Sequence, residues 1–118
     1  MANFRARIKN MITEDIIKEV ARRLKEAAPG AKIILFGSHA RGDAGEASDL
    51  DILVVEKVVK ARRKEMVRLS EILEPLEIPV DVLVASLKNF QEWSSYPGTI
   101  IYKAAKEGRV LYDGTKPD

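Results

Sequence analysis

Three aspartates stand in unusual surroundings. Asp49 and Asp51 flank Leu50 in "SDLDILVV", and Asp81 sits in "PVDVLVA" between valines. An ionised carboxylate among apolar side chains costs several kcal/mol unless it is compensated, or else it takes up a proton. Both segments read as strands, where residues two apart project from the same face. Asp49 and Asp51 therefore point the same way, about 6–7 Å apart along the strand, while Leu50 and Ile52 turn to the opposite face. If the strand of Asp81 is the neighbour of the strand of Asp51, three carboxylates meet. Such a set of hard oxygen donors suits Mg²⁺, which keeps several waters and shares its ligands with phosphate. The plainer alternative is that all three lie at strand ends, exposed or paired with some of the 20 lysines and arginines.

A second feature lies just upstream. Gly37-Ser38 follows the apolar run "ILF", and Arg41-Gly42 comes shortly after. Glycine lets a backbone approach an anion closely, and a serine hydroxyl with loop N–H groups can cradle phosphate oxygens. Arg41 adds a planar cation suited to phosphate. No G-x-x-x-x-G-K-[ST] run occurs, so this is not a Walker A loop. The single histidine, His39, lies in the same loop with no second histidine and no nucleophile at a recognisable spacing, and it receives no chemical role.

These residues need elements to position them. Thr13 can cap a helix with Glu14 and Asp15 in its first turn and Ile16, Ile17, Val20, Ala21 and Leu24 at helical spacing, stopped by Pro29-Gly30. Residues 31–36, "AKIILF", read as a buried strand and 50–55 as a second. A long helix over 59–76 places Met66, Leu69, Leu73 and Leu76 on one side, and Pro75 and Pro79 mark its end. Residues 80–85 form a third strand. Ser86 can cap a helix carrying Phe90 and Trp93, which Tyr96-Pro97-Gly98 interrupts before a last helix from Ile100 that ends at Gly108. "RVLY", 109–112, reads as a closing edge strand, and 113–118 as a flexible tail. Alternating strands and helices indicate an α/β layered fold.

At 118 residues, with no repeat or linker, the chain reads as a single domain, 1–118, whose site-bearing core is 31–85. Hydrophobic residues are 46% and charged residues 32%, the balance of a globular chain. Cysteine is absent, which excludes a disulfide framework and a cysteine zinc site and fits a cytoplasmic location. No apolar run reaches the ~20 residues that span a bilayer. The net charge is only +2, and the basic clusters at Arg5–Lys9 and Lys57–Lys64 lie among acids, so direct nucleic-acid binding is not expected. Lys60-Ala61-Arg62-Arg63-Lys64 reads as a solvated helix face.

The arrangement "GSHARGDAGEASDLD" followed by "VDVLV" resembles the polymerase-β-type nucleotidyltransferase superfamily, and within it the minimal nucleotidyltransferases, or MNT proteins. Their signature is Gly-Ser, ten residues, then Asp-x-Asp, which Gly37-Ser38 and Asp49-Leu50-Asp51 match without insertion; Asp81 matches the third family carboxylate. The resemblance implies a polymerase-β-like fold with a small mixed sheet of about four strands. It implies a hydroxyl attacking the α-phosphorus of a nucleoside triphosphate, taken to be ATP, with loss of pyrophosphate. Asp49, Asp51 and Asp81 would hold two Mg²⁺ ions, Asp81 on the nucleophile's side, while Gly37 and Ser38 would hold the β- and γ-phosphates with help from Arg41.

Larger relatives carry further domains that bind the acceptor, whereas here only residues 86–118 follow the third strand. Small MNT proteins are commonly paired with HEPN toxins in prokaryotic toxin–antitoxin modules, where AMP passes to a tyrosine of the toxin. The resemblance therefore implies an antitoxin that AMPylates a HEPN partner. Two alternatives remain: nucleotidyl transfer to a small molecule such as an aminoglycoside, and a non-catalytic module that neutralises a toxin by occlusion. Phe90, Trp93, Tyr96, Ile100 and Tyr102 are candidates for a partner surface, although helix core is the better expectation for Phe90 and Ile100.

Overall fold

The computed structural model describes residues 12–45 and 47–116; the basic cluster at Arg5–Lys9 and Glu46 lie outside them. The elements run α1 (Glu14–Ala27), β1 (Lys32–Phe36), the one-turn α2 (Ser38–Arg41), β2 (Leu50–Glu56), α3 (Arg62–Leu73) with a 3₁₀ turn at Glu74–Leu76, β3 (Val80–Ser86), α4 (Leu87–Trp93), α5 (Ile100–Glu107) and β4 (Arg109–Asp113). The strands form one mixed sheet in the order β3-β2-β1-β4. β1 is antiparallel to both β2 and β4, and β2 is parallel to β3. This is the mixed four-stranded sheet expected from the resemblance.

The helix boundaries follow local chemistry. Thr13 Oγ1 accepts the Ile16 N–H at 3.3 Å, and Ser86 Oγ accepts the Asn89 N–H at 3.1 Å, so both expected caps form. Thr99, unforeseen as a cap, starts α5 by accepting the Tyr102 N–H at 3.0 Å. β4 reaches one residue beyond "RVLY", and the Gly114 N–H donates to Ala31 O at 2.8 Å, so strand-like pairing continues into the stretch read as tail.

Strand alternation gives the sheet two unlike faces. One carries Ile33, Leu35, Leu50, Ile52, Val54, Val82 and Val84, which pack against Ile17, Val20 and Leu24 of α1 and Leu69 and Leu73 of α3. Most of these are fully buried, and each large aliphatic side chain removed from water contributes about 1.5–3 kcal/mol. The other face carries Ile34, Phe36, Leu53, Val55 and Ala85 under a thinner layer from α4 and α5, including Phe90, Ile101 and Ala104. Phe90 thus packs as expected, but Ile100 does not: at 53% exposure it faces outward. β3 is an edge strand, and Arg62 Nε donates to its Val84 O at 2.7 Å, capping one open carbonyl. The rest of the basic stretch 60–64 is exposed, as a solvated face should be.

At the C-terminal end of β2, Glu56 meets Glu65 of α3, whose carboxylate is held by Arg68 at 2.7 Å. Burial, and then the hydrogen bond with Glu65, push the Glu56 carboxyl up to about 7 from an ordinary 4.5. The hydrogen bond from Arg68 holds Glu65 down at about 2. Because folded Glu56 binds its proton more tightly than the unfolded chain does, its contribution is complete below about pH 4.5 and is lost as pH rises through about 7. Glu56→Gln should therefore lose less melting temperature than the parent between pH 5 and pH 8, as thermal melts at the two pH values would show.

Candidate active site

The face of the sheet that bears the thinner helical layer is also the face of the aspartates. Asp51 alternates with Leu50 and Ile52, so the burial of those two on the α1/α3 side turns Asp51 to the other. β2 and β3 pair in parallel with Asp51 opposite Asp81, so the two carboxylates start from adjacent backbones. Asp49 precedes β2 by one residue. The turn into the strand is pinned where the Leu50 N–H donates to Pro79 O at 2.8 Å. Asp49 and Asp81 are exposed and Asp51 is half-buried, so the cost of burial falls chiefly on Asp51. Burial, then the charge of Asp81, then that of Asp49, raise its carboxyl above the usual range, while Lys103 and His39 pull it back. The electrostatics thus couple all three acids at one place.

β1 ends opposite them, with Phe36 in register with Asp51. The chain then leaves the sheet through Gly37, whose φ of 77° is open to glycine and strained for other residues. Space is equally limiting there. A Cβ on Gly37 would collide with Asp51 Oδ2 and lie 3.1 Å from the carboxyl carbon. Ser38 opens α2, a single turn that ends at Gly42 with φ 86°. This turn lies where the sequence suggested only loop, because four residues carry no periodicity. His39 Nε2 lies 3.3 Å from Ser48 O, and Ser48 Oγ accepts the Gly45 N–H at 2.9 Å, so the loop between the strands is tied to itself. His39 thereby has a structural task.

Two site residues escaped the sequence reading, both on α5. Glu107 Oε1 accepts the Gly37 N–H at 3.1 Å and Arg41 Nη1 at 3.1 Å, with Oε2 3.3 Å from the same Arg41 nitrogen. Arg41 also pairs with Asp43 at 3.2 Å. Lys103, one turn earlier, acts on Asp51 through its charge. Their i,i+4 spacing puts both on one side of a helix, but only the tertiary fold ties that helix to the loop. Of the predicted residues, Gly37, Asp49, Asp51 and Asp81 are brought together at one end of the sheet face. Ser38 starts the turn beside them, and the Arg41 guanidinium is directed to Glu107.

Beyond the carboxylates the same face hollows into a groove of about 560 Å³. Leu53 and Leu83, two residues on from Asp51 and Asp81, form its floor, and Trp93, Thr99, Ile100 and Ile101 stand around it. Trp93 is exposed where it lines the groove, and its ring centre lies 5.3 Å from that of Tyr96, which is exposed as well.

The donor chemistry fits a hard divalent cation: three carboxylates, coupled in charge, on adjacent backbones. As their side chains stand, no group of three His, Cys, Asp or Glu among the described residues is gathered closely enough to hold an ion. Without a cation, the acids repel one another. Asp51→Asn should accordingly raise the melting temperature at pH 8. The advantage should shrink as pH falls toward the ordinary carboxylate range, since a raised pKa weakens the fold only where the acid is ionised. Gly37→Ala should destabilise by about 1–3 kcal/mol from the backbone alone, since φ 77° with ψ −158° is a conformation essentially reserved for glycine, and by more through the clash with Asp51, the sum being read by chemical denaturation.

The family model for the nucleotidyltransferase domain matches residues 17–111, most of the chain. A relative from Methanocaldococcus jannaschii, "Putative protein adenylyltransferase MJ0604", is 36% identical over 107 residues, covering 86% of this chain and all of the relative. Among solved structures, one described as "a putative nucleotidyltransferase from Sulfolobus solfataricus" superposes with a TM-score of 0.62 at 22% identity, covering 92% of this chain and 87% of that one. A structure of tri-AMPylated Shewanella oneidensis HEPN toxin in complex with MNT antitoxin matches with a TM-score of 0.56 at 17% identity, covering 86% of this chain and 73% of the matched one. With a Gly-Ser turn beside the aspartates of a mixed sheet, and a family match over residues 17–111, the chain belongs to the nucleotidyltransferase domain family and is a nucleotidyltransferase.

Proposed function

We propose that this nucleotidyltransferase moves AMP from ATP to a tyrosine hydroxyl on a HEPN-type toxin and acts as its antitoxin. The carrying observation is the in-register pair Asp51 and Asp81, with Asp49 two residues before, facing the Gly37-Ser38 turn. The name of the M. jannaschii relative supports a protein acceptor, and the Shewanella complex supports a HEPN partner. Asp49, Asp51 and Asp81 would hold two Mg²⁺ ions, whose charge offsets the clustered carboxylates and the negative charge developing on the reacting phosphate. The chain's own groups do the positioning. Gly37 and Ser38 receive the β- and γ-phosphates, and Arg41 adds a guanidinium beside them. In the transfer, the acceptor oxygen bonds to the α-phosphorus as the bond to the β-phosphate oxygen breaks, and pyrophosphate leaves on the side of the Gly37-Ser38 turn. Asp81, exposed on the edge strand, orients the hydroxyl and receives its proton. The groove over Leu53 and Leu83, with the exposed Trp93 in its lining, offers apolar surface farther along the acids' sheet face on which a protein acceptor can rest.

Incubation with Mg²⁺ and α-labelled ATP in lysate from the source organism tests this reading. A labelled protein band is expected, absent with γ-labelled ATP and reduced at least about 100-fold in an Asp49→Ala/Asp51→Ala variant, since removing charged transition-state ligands commonly costs two or more orders of magnitude. Its labelled tyrosine would be located by mass spectrometry. Label confined to a small molecule would overturn the protein-acceptor reading. Protection from the toxin by Asp51→Ala equal to that of the parent would replace chemistry with occlusion.

A further inference from the structure

Glu107 occupies an unusual place. It is the last residue of α5, its side chain is only 22% exposed, and one carboxylate oxygen accepts from both the Gly37 N–H and Arg41 Nη1. Gly37 is buried, so its N–H must find a partner inside the protein. On the reading above, Gly37 and Arg41 are also groups that receive phosphate oxygens. A single internal anion therefore fills the positions to which the triphosphate of an incoming nucleotide would bind.

We propose that Glu107 is an internal substitute for phosphate, which holds the Gly37–Arg41 anion site formed and must be displaced when a triphosphate enters. This rests on the assignment of Gly37 and Arg41 to the phosphates. The chemistry is an exchange of one charge-assisted partner for another, which a polyphosphate can win and a neutral ligand cannot. A nucleoside or sugar offers no negative oxygen to the guanidinium and leaves Glu107 in place, so the exchange selects for polyanions. A phosphate chain carries several charged oxygens and can serve the Gly37 N–H, Arg41 and Ser38 together. The displaced carboxylate has a partner nearby, because Lys103 lies one turn back on the same side of α5. Glu107 is thus a specificity-determining residue: it keeps the buried N–H paired between turnovers and sets the threshold of negative charge for entry.

The test is calorimetric titration of the full chain with inorganic tripolyphosphate in the presence of Mg²⁺. Glu107→Gln keeps an oxygen for the Gly37 N–H but drops the charge, and is expected to bind about tenfold more tightly than the parent, the order of one charge-assisted contact. Glu107→Asp, too short to span both donors, should shift in the same direction, which guards against a folding defect peculiar to one variant. In an Arg41→Ala background the gain from Glu107→Gln should fall below about threefold, since coupled neighbours are not additive. The Gly37 amide resonance and the Glu107 carboxyl carbon should both move as the parent is titrated. Equal or weaker binding by Glu107→Gln, with the parent binding, overturns the substitute role and makes Glu107 part of the site. A gain undiminished without Arg41 reduces the effect to a general field and also overturns it. Failure of every variant, parent included, to bind tripolyphosphate or label a protein from α-labelled ATP would sink the phosphate assignment itself. Labelling by the parent, with unchanged binding in Glu107→Gln, would sink the substitute role alone.

Discussion

Like charges held as neighbours govern this structure. The parallel ladder between β2 and β3 places Asp51 directly opposite Asp81, and the ladder cannot slip by one residue to relieve them. Slippage of β3 would turn Val82 and Val84 out of the core and bring Asp81 in. The hydrophobic effect on one face thus maintains electrostatic repulsion on the other. Burial and the charges of Asp81 and Asp49 raise the Asp51 carboxyl together, while Lys103 and His39 oppose them only in part. Such a cluster persists because the remainder of the sheet over-determines it, and it is primed to receive positive charge.

The asymmetry of the two layers follows from the same alternation. α1 and α3 supply a full helical layer, and the core that they close over the sheet holds most of the buried side chains, so more of the domain's buried apolar surface lies on that side. The opposite face is covered by the shorter α4 and α5, leaving Asp49 and Asp81 exposed at one end and a groove over Leu53 and Leu83 farther along. A site on an incompletely covered sheet face rests on rigid strands and is still open to solvent. Gly37 joins the two requirements. Its missing side chain lets the turn after β1 come down on the Asp51 carboxylate, and its positive φ turns the chain into α2.

α5 adds charge to a site that is otherwise built by the sheet. Lys103 bears on Asp51, and Glu107 binds the loop and Arg41. One helix thus presents a cation to the acids and an anion to Gly37 and Arg41, one helical turn apart. The arrangement compensates each charge cluster from outside its own segment, and Glu107 ties Gly37 and Arg41 to α5 while His39 reaches Ser48.

Much of this was legible in the chain itself. The motif of Gly37-Ser38, ten residues and Asp49-Leu50-Asp51 is local, and period-two alternation tells which way each aspartate points without knowledge of the neighbours. The caps at Thr13 and Ser86 and the apolar stripe of α3 are local as well, because they depend on bonds and spacings within a few residues. Contacts across long stretches of chain were not legible. That Asp81 stands opposite Asp51 depends on which strand pairs with which. That Ile100 faces outward while Phe90 packs inward depends on how α4 and α5 lie on the sheet. Glu107 and Lys103 show the limit best. Nothing near them in sequence marks a site, and 70 residues separate Glu107 from the Gly37 N–H it accepts. By itself the sequence determined the types of the candidate site groups and the facing of Asp51 and Asp81, since these follow from residue identity and local backbone periodicity. Only the tertiary structure decided their partners, because the charge that steadies each cluster is supplied by a distant segment.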